Sequence, residues 1–219
     1  MKENKELMLG IIGIILIVII FITSMVISSN KEKEANKDLL DGIHYAEIKV
    51  KNYGSIIVEL DANTSPITVT NFLSLADSKF YDGLSFHRII EGFMIQGGGY
   101  DQSGNKKNAD TIKGEFKNNG VENNIKHERG VISMARVSGI PNSASSEFFI
   151  MHQDSLSLDG DYAAFGHVIE GMDVVDKIAT SVKPTDNNGS IDLEDRPVIE
   201  SIRSLKVEID NGDEDETNS

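Results

Sequence analysis

The stretch "FHRIIEGFMIQGGG", residues 86–99, sets polar groups into an apolar run. It places the permanently charged Arg88 and the amide of Gln96 among six large apolar side chains, and three glycines, Gly97–Gly99, follow. Apolar runs of this kind normally build a core, where an unpaired charge is costly. Glycines here and at Gly92 allow the backbone to bend and to redirect side chains. The stretch therefore raises the question of why a permanent cation and an amide are set into an apolar run.

Short alternating apolar segments recur on both sides of this stretch. Residues 46–60, "AEIKVKNYGSIIVEL", alternate apolar side chains around Asn52, Tyr53 and Gly54, which is a β-hairpin pattern. Further strands are predicted at "GVISMA" (130–135), "SEFFIM" (146–151), "YAAFGHVIE" (162–170) and "SLKVEI" (204–209). The chain is therefore predicted to be mainly β.

Two segments have helical spacing instead. In "TSPITVTNFLSLADS", residues 64–78, Ser65 is a candidate cap and Pro66 suits the first helical position. The second is "GMDVVDKIAT", residues 171–180. Two helices among many short strands favour a closed β-barrel, because closure leaves no sheet edge exposed.

The N-terminal region differs in composition from the rest of the chain. Residues 7–27 contain no charge, and a helix needs roughly 20 apolar residues to cross a bilayer. The apolar part of a cleaved signal is usually shorter, about 7–15 residues, and no A-x-A site follows this run. We predict a short tail at residues 1–6 and a transmembrane anchor at residues 7–27, with a cleaved signal as the alternative.

Charged segments flank the predicted domain on both sides. Residues 28–42 form a charged linker, residues 43–209 one domain, and residues 210–219 an acidic tail expected to be disordered. Lysines lie on both sides of the apolar run, so the positive-inside rule leaves its orientation open. Because an apolar segment ahead of a domain is the usual export arrangement, we expect a membrane-anchored domain outside the cytoplasm, in the cell envelope, or a secreted one if the segment is cleaved.

Composition and spacing exclude several classes of function. The net charge of −14 argues against a nucleic-acid partner, and the absence of cysteine excludes disulfides and cysteine-bound zinc. The five histidines lack ligand spacing, so neither a metal nor another cofactor is expected. Ser133, Asp159 and His167 could form a hydrolytic triad on paper, but no nucleophile-elbow motif accompanies them. A monomer is expected.

Four blocks, "FHRIIEGFMIQGGG", "GVISMA", "SSEFFI" and "LDGDYAAFG", occur in this order and resemble the cyclophilin family of peptidyl-prolyl cis-trans isomerases. The resemblance runs from about Ile43 to Ile209. It implies a closed eight-stranded antiparallel β-barrel with an α-helix covering each end, and a binding groove on the outer face of the barrel.

The resemblance also implies the site residues. Arg88 is the implied catalytic residue, and His87 beside it is expected to point away and to be structural, because strand side chains alternate. By the same alternation, Phe93 is expected on the face of Ile95, opposite Met94. The implied substrate-binding residues are Phe93, Met94, Gln96, Ala135, Arg136, Glu147, Phe149, Leu158 and Tyr162.

The chemistry of the implied reaction suits these residue types. Amide resonance opposes rotation of a peptide bond by about 18–20 kcal/mol, and no bond has to break. A catalyst needs only to favour the twisted state, in which the proline nitrogen gains a lone pair that a fixed arginine can bond. We therefore predict an isomerase that accelerates folding of proline-containing, unfolded or extended polypeptides. The alternative is a membrane-tethered chaperone or scaffold that binds proline segments without catalysis.

Three residues depart from the better-known family pattern, Glu147, Ser157 and Tyr162. Glu147 stands where the family usually has glutamine. Its carboxylate could pair with Arg88. We therefore expect Glu147 to lower turnover through Arg88.

Overall fold

The computed structural model describes residues 21–23, 25 and 38–206. No helix within those residues is long and apolar enough to cross a membrane. The predicted anchor lies outside them except for residues 21–23 and 25, which are helical. The predicted N-terminal tail, most of the linker and the acidic tail also lie outside. Leu40 begins the compact unit that carries every strand and helix below.

Residues 40–206 form one mainly antiparallel-β unit, as predicted. The strands are β1 Ile43–Val50, β2 Gly54–Asp61, β3 Leu84–Ile90, β4 Met94–Asp101, β5 Val131–Met134, β6 Phe148–Met151, β7 Ala164–Glu170 and β8 Ile199–Leu205. They form a single eight-stranded sheet with the order β3-β4-β6-β5-β7-β2-β1-β8. The predicted hairpin is confirmed, since β1 and β2 pair in register from Ile43 opposite Asp61 to Val50 opposite Gly54.

The sheet curls until its edge strands approach, but no ladder joins them. Gly83 N–H donates to Ile199 O at 2.9 Å, Phe86 N–H donates to Pro197 O at 2.9 Å, and Ser85 and Val198 form an isolated bridge. Pro197 has no N–H, so it cannot continue a ladder along this seam. The prediction of a closed barrel is therefore wrong in this respect, and the fold is an open half-barrel.

The two predicted helices are confirmed as α1 Pro66–Asp77 and α2 Met172–Ser181. Helix α1 buries Phe72, whose ring meets that of Phe148 edge-on at 5.5 Å in the interior of the sheet. Helix α2 buries Val175 and Ile178 against β2 and β4. These contacts make one continuous apolar core inside the curled sheet.

The N-terminus of α1 is capped differently from the prediction. Ser65 occupies the cap position, but its buried hydroxyl donates to Ala164 O at 3.0 Å. The carboxylate of Glu115 instead accepts the N–H groups of Ile67 at 3.0 Å and Thr68 at 2.7 Å. A negative charge is favourable at this end of a helix dipole, so a distant loop supplies the cap.

Candidate active site

A β-bulge in β3 explains how the charged Arg88 fits into an apolar run. Phe86 lies opposite Gly97 and Arg88 lies opposite Gln96, so His87 is an extra residue between the two pairs. Phe86 and Ile89 are both fully buried in the interior, and the bulge leaves His87 and Arg88 together outside it. The expectation that His87 points away from Arg88 is therefore wrong. The signal was present in the sequence, since two core residues three apart do not fit a regular strand.

The three glycines of β4 are required by close approach. A Cβ at Gly97 would lie 2.8 Å from Ser85 O, and one at Gly98 would lie 2.8 Å from Ser146 O. A Cβ at Gly99 would lie 2.5 Å from Cγ of Glu147. Real Cβ atoms do not approach other atoms so closely, so only glycine leaves room for the neighbouring strands and for the Glu147 side chain across β4.

A cavity of about 150 Å³ lies on the outer face of the sheet, beside a second apolar cluster that includes Met94, Phe149 and Met151. It brings together nine of the ten residues expected at the site. These are Arg88, Phe93, Met94, Gln96, Ala135, Arg136, Phe149, Leu158 and Tyr162. The tenth, Glu147, lines an adjoining cavity.

Phe93 is the exception to the predicted alternation. Ile95 is fully buried in the interior, whereas Phe93 packs with Met94 on the outer cluster. Phe93 lies in the turn before β4, where Gly92 has φ +77°, so strand alternation does not extend to it. The turn therefore adds an aromatic wall to the cavity.

Three hydrogen bonds hold the guanidinium of Arg88, and one of them runs from its Nη1 to Met94 Sδ at 3.8 Å. Its Nε donates to Asn188 O at 2.7 Å and its Nη1 donates to Gln96 Oε1 at 3.3 Å. Its Nη2 has no protein partner within the described residues. Burial lowers the pKa of Arg88, while the charges of Tyr162 and Asp186 oppose that shift. The pKa of an arginine side chain is so high that Arg88 nevertheless stays protonated. Arg88 is thus an oriented cation with a free donor at the cavity.

The loop that contains Asn188 was not predicted to take part in the site. The carboxylate of Asp186 accepts the N–H groups of Asn188 at 2.9 Å and Ser190 at 3.0 Å, which closes the loop on itself. The loop then pairs with β3, because Ile89 N–H donates to Gly189 O at 2.8 Å. The sequence "DNNGS" does signal a tight turn, but nothing local to it indicates a contact with a residue a hundred positions earlier.

Glu147 contacts Arg88 only through Gln96. Gln96 Nε2 donates to Glu147 Oε2 at 3.1 Å, and His87 Nε2 lies 3.4 Å from the same oxygen. Burial favours a raised pKa for Glu147, but the bonds from His87 and Gln96 and the charge of Lys106 together lower it. The sequence suggested a direct ion pair between Glu147 and Arg88. In the structure, hydrogen bonds instead connect Arg88 to Gln96 and Gln96 to the ionised Glu147, and we call this chain the relay.

A buried polar chain supports the cavity from below. The ring of His127 stacks on Phe149 with a centroid separation of 6.0 Å. Its Nε2 lies 3.1 Å from Ser133 Oγ and its Nδ1 lies 3.0 Å from Asp159 Oδ1. Ser133 and His127 are both fully buried, so this serine cannot reach a substrate. His167, the histidine of the triad considered above, instead lies beside Glu59 at 3.9 Å.

Comparisons with known proteins agree with this geometry. Residues 45–207 match the family model described as cyclophilin type peptidyl-prolyl cis-trans isomerase/CLD. A peptidyl-prolyl cis-trans isomerase of Acinetobacter baylyi is 46% identical over 58% of this chain and 68% of its own length. Peptidyl-prolyl cis-trans isomerase B of Escherichia coli is 42% identical over 58% of this chain and 79% of its own length.

Solved structures similar to this one come from the same family. A crystal structure of a cyclophilin type isomerase of Cryptosporidium parvum has a TM-score of 0.62 and 28% identity, covering 75% of this chain and 99% of that one. The same protein in the presence of the dipeptide Ala-Pro has a TM-score of 0.61. The family model spans the cavity and all of the half-barrel except the first two residues of β1, and this chain therefore belongs to the cyclophilin type peptidyl-prolyl cis-trans isomerases.

Proposed function

We propose that this isomerase accelerates rotation about X-Pro bonds by means of Arg88, and that it acts on unfolded or extended polypeptides. The observation that carries the proposal is the anchored guanidinium beside an apolar cavity. Two of its nitrogens are bonded to Asn188 and Gln96, and Nη2 remains free to donate. A donor that is already oriented loses little entropy when it bonds to a substrate.

The proposed mechanism depends on differential binding of the twisted state. In planar X-Pro bonds the imide nitrogen shares its lone pair with the carbonyl, so it is a poor acceptor. At the twisted state the lone pair becomes localised, and Arg88 can donate to it. An acceleration of a hundred thousandfold requires about 7 kcal/mol of preference for the twisted state over the planar states. No proton transfer or covalent step is needed.

The apolar walls suit the proline ring. The cavity of about 150 Å³ has apolar walls formed by Phe93, Met94, Phe149 and Leu158. Phe149 is fixed in place by His127 behind it and by Tyr162, which it meets edge-on at 5.8 Å. The N–H and C=O of Arg136 have no hydrogen-bond partner among the described residues, which leaves them free to pair with an extended peptide. The walls would hold the ring while the preceding carbonyl rotates.

The test is the rate of Arg88→Ala on an Ala-Pro peptide in a protease-coupled assay. We expect a loss of about 10²–10³ in kcat/KM, the usual effect of removing one preorganised donor. Arg88→Lys is the matched control, since it keeps the charge but not the fork held by Asn188 and Gln96. Equal rates for wild type and Arg88→Ala, with peptide binding retained, would favour the non-catalytic chaperone or scaffold.

We also propose that residues 7–27 anchor the domain to a membrane, with the domain outside the cytoplasm. The support is the length of this uncharged run. A topology reporter fused after Ile209 tests the orientation, and a reporter signal from the cytoplasm would refute it. The monomeric state and the lack of a nucleic-acid partner stay predictions.

A further inference from the structure

Arg136 lies at the junction of two cavities. It lines the apolar cavity together with Arg88, and it also lines the adjoining cavity of about 140 Å³. The lining of that second cavity also includes Gln96, Lys106 and Glu147. A peptide with its proline in the first cavity would therefore pass Arg136 if it continued into the second.

Neutral groups hold the guanidinium of Arg136 in place. Its Nε donates to Asp161 O at 2.8 Å and its Nη1 donates to Val137 O at 3.3 Å. Its central carbon lies 4.8 Å from the ring centre of Tyr162 and 5.3 Å from that of Phe116. Aromatic faces and carbonyls orient a cation without cancelling its net charge. Arg136 is thus fixed but not neutralised.

The nearby carboxylates are engaged with other groups. The Asp161 side chain accepts a bond from Asn118 at 2.9 Å. Glu147 is bonded by Gln96, and Lys106 lies 3.9 Å from its other oxygen. Within the described residues Arg136 forms no ion pair.

The groove therefore has a net positive charge in a chain of net charge −14. Arg88, Arg136 and Lys106 are set against the single carboxylate of Glu147 among the residues lining the two cavities. A lining with more positive than negative groups favours ligands of negative charge.

We propose that Arg136 selects substrates that carry a carboxylate side chain on a residue adjacent to the proline. This inference rests on the proposed function and names its substrate class. Arginine binds carboxylates through paired N–H groups, and Nη2 of Arg136 has no protein partner among the described residues. Because the guanidinium is only half-buried, the selectivity is modest, three- to fivefold in kcat/KM, or about 0.6–1 kcal/mol at 1.4 kcal/mol per tenfold.

The experiment uses proline peptides blocked at both ends, so that the only carboxylate is a side chain. One pair carries Glu or Gln before the proline, and a second pair carries Glu or Gln after it. NMR exchange spectroscopy gives kcat/KM without a protease. Wild type should prefer Glu over Gln three- to fivefold at one or both positions in low salt. In Arg136→Gln the ratio should fall to about one, and Arg136→Lys should give an intermediate ratio.

Lys177→Gln is the control for a general change of charge. Lys177 lies on α2, outside both cavities, and its loss changes the net charge as much as Arg136→Gln does. The control should keep the wild-type ratio. A preference that disappears in Lys177→Gln as well would overturn the assignment, because the cause would then be the field of the whole protein.

Two further results would overturn the proposal. One is a wild type with no preference for Glu at either position. The other is a folded Arg136→Gln that keeps the preference. If Arg136→Gln does not fold, the salt dependence of wild type decides, since the Glu preference must shrink at 1 M salt, where the screening length is about 3 Å. Failure of the proposed function would look different, because Arg88→Ala would then match wild type on the Gln peptides.

Discussion

Replacing Glu147 with glutamine tests the relay that ends on Arg88. In the structure, Oε2 of Glu147 accepts a bond from Gln96 and lies 3.4 Å from Nε2 of His87, and Gln96 in turn accepts from Arg88 at 3.3 Å. The oxygen of a glutamine at this position could still accept from both donors, so the geometry should survive Glu147→Gln. What changes is the charge. The change therefore separates an electrostatic role of Glu147 from a positional one.

The magnitude follows from the length of the relay. Two hydrogen bonds of 3.1 and 3.3 Å and one amide group put the carboxylate about 8 Å from the guanidinium. At that distance a unit charge contributes about 0.5–1 kcal/mol for effective dielectric constants of about 80 to 40. This negative charge weakens the positive potential that Arg88 presents to the lone pair of the twisted imide. Glu147→Gln should therefore raise kcat by about two- to fivefold.

The assay compares kcat and KM of wild type and Glu147→Gln on one neutral Ala-Pro peptide. Glu200→Gln is the control, because Glu200 is exposed on β8 and its replacement removes the same charge. An unchanged or lower kcat in Glu147→Gln would refute the electrostatic argument. A lower kcat would mean that the carboxylate acts mainly by fixing the orientation of Gln96.

Two predictions concern stability. Burial lowers the pKa of His127, although Asp159 acts to raise it. As the pH falls, the His127 side chain is therefore protonated in the unfolded chain before it is protonated in the folded one. The stability that the neutral ring contributes above about pH 6.5 is lost as the pH falls below that value. Urea unfolding from pH 8 to 5 should show wild type losing up to about 1.4 kcal/mol per pH unit more than His127→Gln, and parallel losses would contradict this. Gly97→Ala should cost about 2 kcal/mol or more in the same measurement, because its Cβ would lie 2.8 Å from Ser85 O. Gly139→Ala, at φ +78° in open space, should cost only about 1 kcal/mol, and equal losses would count against the packing argument.

Local patterns predicted most of the fold. The β1–β2 hairpin and both helices follow from apolar spacing, which each segment carries by itself. The last strand was placed too late, since β8 is Ile199–Leu205, whereas the prediction began at Ser204 and relied on Val207 and Ile209, which lie outside the described residues. The open seam was not predicted either, because closure depends on hydrogen bonds between strands far apart in the chain.

The site shows the same division between local and distant contacts. The residues lining the cavity were predicted from short sequence blocks that resemble those of the family. The bulge at His87 was missed, because register is a property of two strands and not of one. The Asn188 contact and the His127 support under Phe149 were missed for a similar reason, since each joins segments that no local pattern connects.

The loop that holds Arg88 and the β8 side of the seam with β3 lie on one continuous piece of chain. Asp186 shapes the loop, Asn188 bonds the guanidinium, and Pro197 then meets Phe86 on the edge of the sheet. Each of these contacts to β3 is made by a main-chain atom, so the contacts depend directly on the length of this segment. Gly189 is also required, because it has φ +88° and a Cβ there would lie 2.8 Å from Ile89 O. An insertion or deletion between Asn188 and Pro197 would move one contact relative to the other. The number of residues in this loop therefore helps to set the position of the Arg88 guanidinium.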